Sequence, residues 1–67
     1  MRKLRSYYLI KIRLEYTPAG KLTSVPSCLG WYSTKEAADA AMGEAVRAWE
    51  ASGSPSGVSF RIEPFYQ

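Results

Sequence analysis

A chain of 67 residues, 46% apolar and carrying a formal charge of +3, has room for one small core and none for a second. It contains no histidine, which excludes Ser-His-Asp and Cys-His catalysis and any imidazole metal ligand. Its one cysteine, Cys28, excludes an internal disulfide and a multi-thiolate zinc cage, so packing alone must hold the fold.

The basic start, with Arg2, Lys3 and Arg5, reads as an arm over residues 1–5. It has the charge of a secretory leader, but Lys11 and Arg13 interrupt the apolar stretch behind it and no small-residue cleavage site follows. No apolar run approaches the about 18 to 20 residues that cross a bilayer. With the lone thiol, this predicts a cytoplasmic protein with no membrane partner.

Residues 6–16 alternate, placing Tyr8, Ile10, Ile12, Leu14 and Tyr16 on one side and Tyr7, Leu9, Lys11, Arg13 and Glu15 on the other, which predicts a strand. Thr17-Pro18-Ala19-Gly20 supplies a fixed φ and then a left-handed exit, the composition of a hairpin turn. The return strand, 21–32, is expected to be an edge strand with a bulge or break, because Pro26 lacks a ladder donor and Gly30 weakens the pleat. Ser33-Thr34-Lys35-Glu36 fits a capping box with Ser33 as the cap, opening a helix over 34–51. Ala38, Ala41, Met42, Ala45 and Trp49 form its apolar stripe. Ser52-Gly53 ends it, and a Ser-Pro-Gly loop leads to a strand at 58–63, where Val58, Phe60 and Ile62 oppose Ser59, Arg61 and Glu63 until Pro64 stops the ladder.

The order β-β-α-β, with a right-handed crossover, predicts a single α+β domain: a three-stranded antiparallel sheet, first strand central, with one helix packed on one face. The more apolar even-numbered side of the first strand is expected beneath the helix. That leaves Tyr7, Leu9, Lys11 and Arg13 on the open face with Arg61.

Charge is unevenly placed. Before residue 34 the chain holds Arg2, Lys3, Arg5, Lys11, Arg13 and Lys21 against Glu15 alone; beyond it, acids outnumber bases. Cations displace counterions from phosphates and an aromatic ring stacks on an unpaired base. The candidate nucleic-acid or acidic-partner contacts are therefore Arg2, Lys3, Arg5, Lys11, Arg13, Lys21 and Arg61, with Tyr7 as the stacking residue. The same cations are also ordinary solvent-facing choices on a one-sided sheet. The candidate protein-interface residues are Tyr7, Leu9, Trp31 or Tyr32, Phe65 and Tyr66, which would equally serve a homodimer seam; the competing role for Trp31 or Tyr32 is a staple at the helix entry.

Little here points to chemistry. Cys28 lacks an activating base, Glu15 and Glu63 fit partners for Arg13 and Arg61 better than a catalytic pair, and Gly53-Ser54-Pro55-Ser56-Gly57 lacks the lysine of a phosphate-binding loop. The expectation is no enzyme, no metal and no cofactor.

The hairpin, the Gly20-Lys21 turn exit and the run Gly30-Trp31-Tyr32-Ser33-Thr34-Lys35-Glu36-Ala37 resemble the arm-type, AP2-like DNA-binding modules of phage and transposon integrases, over residues 7 to about 50. The resemblance implies a three-stranded sheet laid in the major groove, with Lys11, Arg13 and Lys21 as groove and phosphate contacts and Ser33 to Ala37 as a structural joint. Leu22-Thr23-Ser24-Val25 departs from that pattern in having no basic residue, and the last strand is an addition to it.

Three expectations follow. The first is a non-catalytic module of phage or mobile-element type that engages nucleic acid or a nucleoprotein through a basic sheet face. The second is a small protein-binding inhibitor, of the anti-CRISPR kind, that occludes a surface of a host complex. The third is a homodimeric structural or interaction protein.

Overall fold

The computed structural model describes residues 2–67, so Met1 of the expected arm lies outside the described residues. The elements are β1 (Leu4–Tyr16), β2 (Leu22–Tyr32), α1 (Lys35–Ala51) and β3 (Val58–Tyr66). The strands form one antiparallel sheet in the order β2-β1-β3, and α1 packs on one face of it, which is the expected α+β architecture with β1 in the centre.

Thr17-Pro18-Ala19-Gly20 turns as its composition implies. The Gly20 N–H donates to the Thr17 carbonyl at 2.8 Å, Gly20 takes φ +82°, and the Thr17 N–H closes the hairpin on the Lys21 carbonyl at 2.8 Å. Both edge strands run further than their prolines suggest. Pro26 pairs with Ile12 inside a continuous β2, and Pro64 pairs with Tyr7 inside a β3 that reaches Tyr66. An edge strand has one side without a ladder partner, so a missing N–H directed there leaves no bond broken. The expected bulge is real: Leu9 faces Gly30 and Ile10 faces Cys28, leaving Leu29 as the extra residue.

The basic start is not a free arm. Lys3 and Gln67 exchange backbone hydrogen bonds of 2.9 Å in both directions, extending the β1–β3 ladder past the strand ends. Arg5 lies within β1, at the register shift between Leu4 and Ser6.

The helix cap is Thr34, one residue later than expected. Its backbone is extended (φ −130°, ψ 154°) and its Oγ1 accepts the Ala37 N–H at 3.2 Å. At the other end the Ser54 N–H donates to the Trp49 carbonyl and the Gly53 N–H to that of Glu50, both at 3.1 Å, with Gly53 at φ +99°. That is a Schellman closure, and the Trp49 indole N–H ties the following loop down by donating to the Pro55 carbonyl at 2.9 Å.

The alanine stripe lets α1 sit close to the sheet, with Ala38 fully buried and Ala41, Met42, Ala45 and Trp49 half-buried. Beneath it the facing of β1 is the reverse of the expected one. Leu9 is only 2% exposed, and Lys11 lies with Trp49, Val58 and Phe60 on the helix side. The reason is β3: Val58, Phe60 and Ile62 pair with Arg13, Lys11 and Leu9, so covering the apolar side of β3 covers the odd-numbered side of β1.

The two kinds of glycine separate in a stability test. Gly20→Ala forces a side chain into the left-handed region and should cost about 1 kcal/mol, whereas Gly43→Ala inside α1 should stabilise by about 0.5 to 1 kcal/mol. A Cβ at Gly43 meets nothing nearer than the flexible Arg47 guanidinium at 3.5 Å. Urea midpoints at one protein concentration read both, and equal signs would contradict the backbone assignment.

Candidate functional site

The uncovered face of the sheet is built from the other half of each strand. β1 contributes Tyr8, Ile10, Ile12, Leu14 and Tyr16, and their cross-strand partners share the face: Leu22, Ser24, Pro26, Cys28 and Trp31 from β2, with Ser59, Arg61 and Glu63 from β3. Leu29 makes this set possible. Cys28 and Trp31 are three residues apart, a spacing that places side chains on opposite faces of a regular strand, and the bulge restores them to one.

At one end of the face Tyr8 is the centre of an aromatic group. Its ring stacks on Trp31 at 5.9 Å with planes 22° apart, and Phe65 meets it edge-on at 5.6 Å and 71°. Trp31 remains 68% exposed, Leu14 50% and Tyr16 76%. A continuous row of rings and aliphatic side chains along β1, flanked by Trp31, Leu22 and Pro26 of β2 and by Phe65, forms a surface of the kind that marks an interaction site. Its charged groups are Arg61 and Glu63, which lie two residues apart on one strand and form an ion pair at 2.7 Å. The face as a whole is therefore electrically neutral.

The cations expected to line one basic face are divided instead. Lys11 is half-buried in an open cleft of about 290 Å³ on the helix side, with Leu29, Trp49, Val58 and Phe60 around it. Arg13 is exposed on that side and paired with Glu15 at 3.0 Å. Lys21 is exposed at the hairpin turn, Arg2, Lys3 and Arg5 are exposed at the opposite end of β1, and Arg61 is placed on the open face by its pairing with Ile10. Tyr7 and Leu9, expected outside, face the helix. Tyr32 pairs with Tyr7 and lies over Gly30, where an added Cβ would come within 3.0 Å of its hydroxyl. Tyr66 is half exposed and pairs with Leu4.

Of the expected interface residues the structure thus brings Trp31 and Phe65 together. Tyr8, Ile10, Ile12, Leu14 and Tyr16 belong to the exposed surface rather than to the core, and their alternation was the signal that picked them out as a set. Glu15 and Glu63 stand on opposite faces, each with its own arginine. The Cys28 thiol is exposed and donates to the Gly30 carbonyl at 3.5 Å. Among the described residues no group of three or more potential ligating side chains could hold a metal ion, and no helix is long and apolar enough to cross a membrane.

Comparison with protein families, with curated proteins and with solved structures finds no match for this chain.

The Tyr8–Trp31 stack should be measurable. A double-mutant cycle with Tyr8→Leu and Trp31→Leu, read by urea unfolding, should give a coupling energy of about 1 kcal/mol. A coupling indistinguishable from zero would mean that the rings do not hold this arrangement in solution.

Proposed function

We propose that this chain is a non-catalytic protein-docking module whose working surface is the uncovered face of its sheet. The observation that carries the reading is the make-up of that face: aromatic at one end, aliphatic through its centre, and neutral because its one cation is paired with its one anion. A surface of that composition gains most from losing water to another apolar surface, at about 25 cal/mol per Å² before the costs of association.

A nucleic-acid reading draws less support from this geometry. Counterion release grows with the number of cations that meet phosphates together. Here Lys11 is turned to the helix, Arg13 and Arg61 are each ion-paired, and the remaining cations lie at opposite ends of the sheet. Of the groove contacts implied by the integrase-like resemblance, Lys11 and Arg13 are on the helix-covered side and Lys21 is at the hairpin turn, so the three share no open face.

Ile12→Lys combined with Trp31→Ala tests the face without touching Leu9 or Ala38. With folding verified by circular dichroism, this variant should lose at least about tenfold in the protein retained on it from nuclease-treated extract, a differently tagged copy of the chain included. Equal retention by parent and variant would overturn the reading. So would salt-sensitive binding of a labelled 30-mer oligonucleotide, single- or double-stranded, with unchanged affinity in the variant.

A further inference from the structure

We infer that the open face is closed by a second copy of this chain, the two sheets packing face to face as an isologous dimer with the helices outermost. The inference rests on the docking reading above and names its partner. Surface area, shape and charge pattern point to it.

The first is area. A folded chain of 7.5 kDa exposes about 4,200 Å² by the surface scaling of monomeric proteins. This one exposes 5073 Å². The excess, roughly 800 Å², is similar in size to one partner's share of a standard interface.

The second is shape. The Cα positions span 42 × 30 × 11 Å with a radius of gyration of 14.1 Å, where about 11 Å is usual for this length. The chain is a slab, broad in two directions and thin in the third. Among the described residues the buried apolar side chains are Leu9 and Ala38, a small core for the surface it supports. Stacking a second slab about 10 Å away, the ordinary spacing of packed sheets, adds a middle layer of apolar side chains from both copies.

The third is charge. Arg61 and Glu63 flank Ile62 on β3, and Ile62 is level with Leu9, one residue from the midpoint of β1. A two-fold axis lying between the sheets, perpendicular to the strands at that level, sets Arg61 opposite the partner's Glu63 and Glu63 opposite the partner's Arg61, while the sheets overlap along nearly their whole length. The four charges alternate in sign. A foreign acidic or basic partner would be matched by a surplus of one sign, and the face has none; its pattern is complementary to itself.

Sedimentation velocity between about 1 and 500 μM tests this on the intact chain. The parent should pass from a 7.5 kDa species to one of twice that mass within the range. Arg61→Glu gathers four carboxylates at the axis and should raise the dimer dissociation constant at least about tenfold, and Glu63→Arg should do the same with four cations. Arg61→Glu together with Glu63→Arg restores the alternation and should return the constant to within about threefold of the parent. That rescue belongs to self-association alone, because a foreign partner's charges would not change with it. Circular dichroism checks that each variant is folded, and either single reversal serves if the other is not.

A parent that stays monomeric at 500 μM overturns the dimer, as does a dimer indifferent to both single reversals. Monomeric parent with retention still dependent on Ile12 and Trp31 would leave the docking face with a foreign partner; monomeric parent with retention independent of them would remove both readings.

Discussion

The register of β3 on β1 decides the character of every surface of this protein. Side chains alternate across a strand with a period of two, so sliding β3 by one residue would exchange the two halves of β1 between helix and solvent. β3 itself is unambiguous, with Val58, Phe60 and Ile62 on one side and Ser59, Arg61 and Glu63 on the other. In the observed pairing its apolar side aligns with Leu9, Lys11 and Arg13, and the helix that covers one covers the other. The consequence is an inversion: the richest apolar row in the chain, Tyr8 through Tyr16, is left without a cover.

That inversion marks where sequence reasoning stops. The hairpin was legible because Pro18 and Gly20 have fixed conformational meanings, and the helix because its alanine stripe repeats at helical spacing and Ser33-Thr34-Lys35-Glu36 has the form of a capping box. The strand order was legible from handedness alone. The facing of β1 was not, since both of its sides carry large apolar residues near the centre of the sheet, and composition favours burying the even side. Only pairing separates them, and pairing is a long-range property that no local pattern in β1 encodes. The capping residue was missed by one position for a smaller reason: Ser33 and Thr34 are both competent caps, and the extended backbone of Thr34 selects it.

The bulge at Leu29 contributes more than an accommodation of Gly30. It puts Trp31 beside Tyr8 on the open face and turns Leu29 itself toward Trp49 and the helix-side cleft. Without the extra residue the aromatic end of the open face would lose its largest ring to the other side of the sheet. Gly30 completes the device, because Tyr32 folds back over it where a side chain at that position would press on the ring. One irregularity in an edge strand therefore supplies both the aromatic end of the exposed face and part of the wall of the covered cleft.

Charge and apolar surface are separated in consequence. The net charge of +3 resides on the rim, at the turn and on the helix side, while the broad open face is neutral. A rim charge is felt over about a Debye length, whereas an apolar surface gains only on contact, by exclusion of water. The same contact bears on stability. Leu9 and Ala38 make a small buried apolar centre, and under the proposed docking, closing the open face would add the free energy of association to the stability of the chain. Under the proposed docking, folding and association would be linked through one layer of side chains: Ile10 and Ile12 are half-buried in the chain alone, and a polar substitution there would cost the docked state more than the isolated chain.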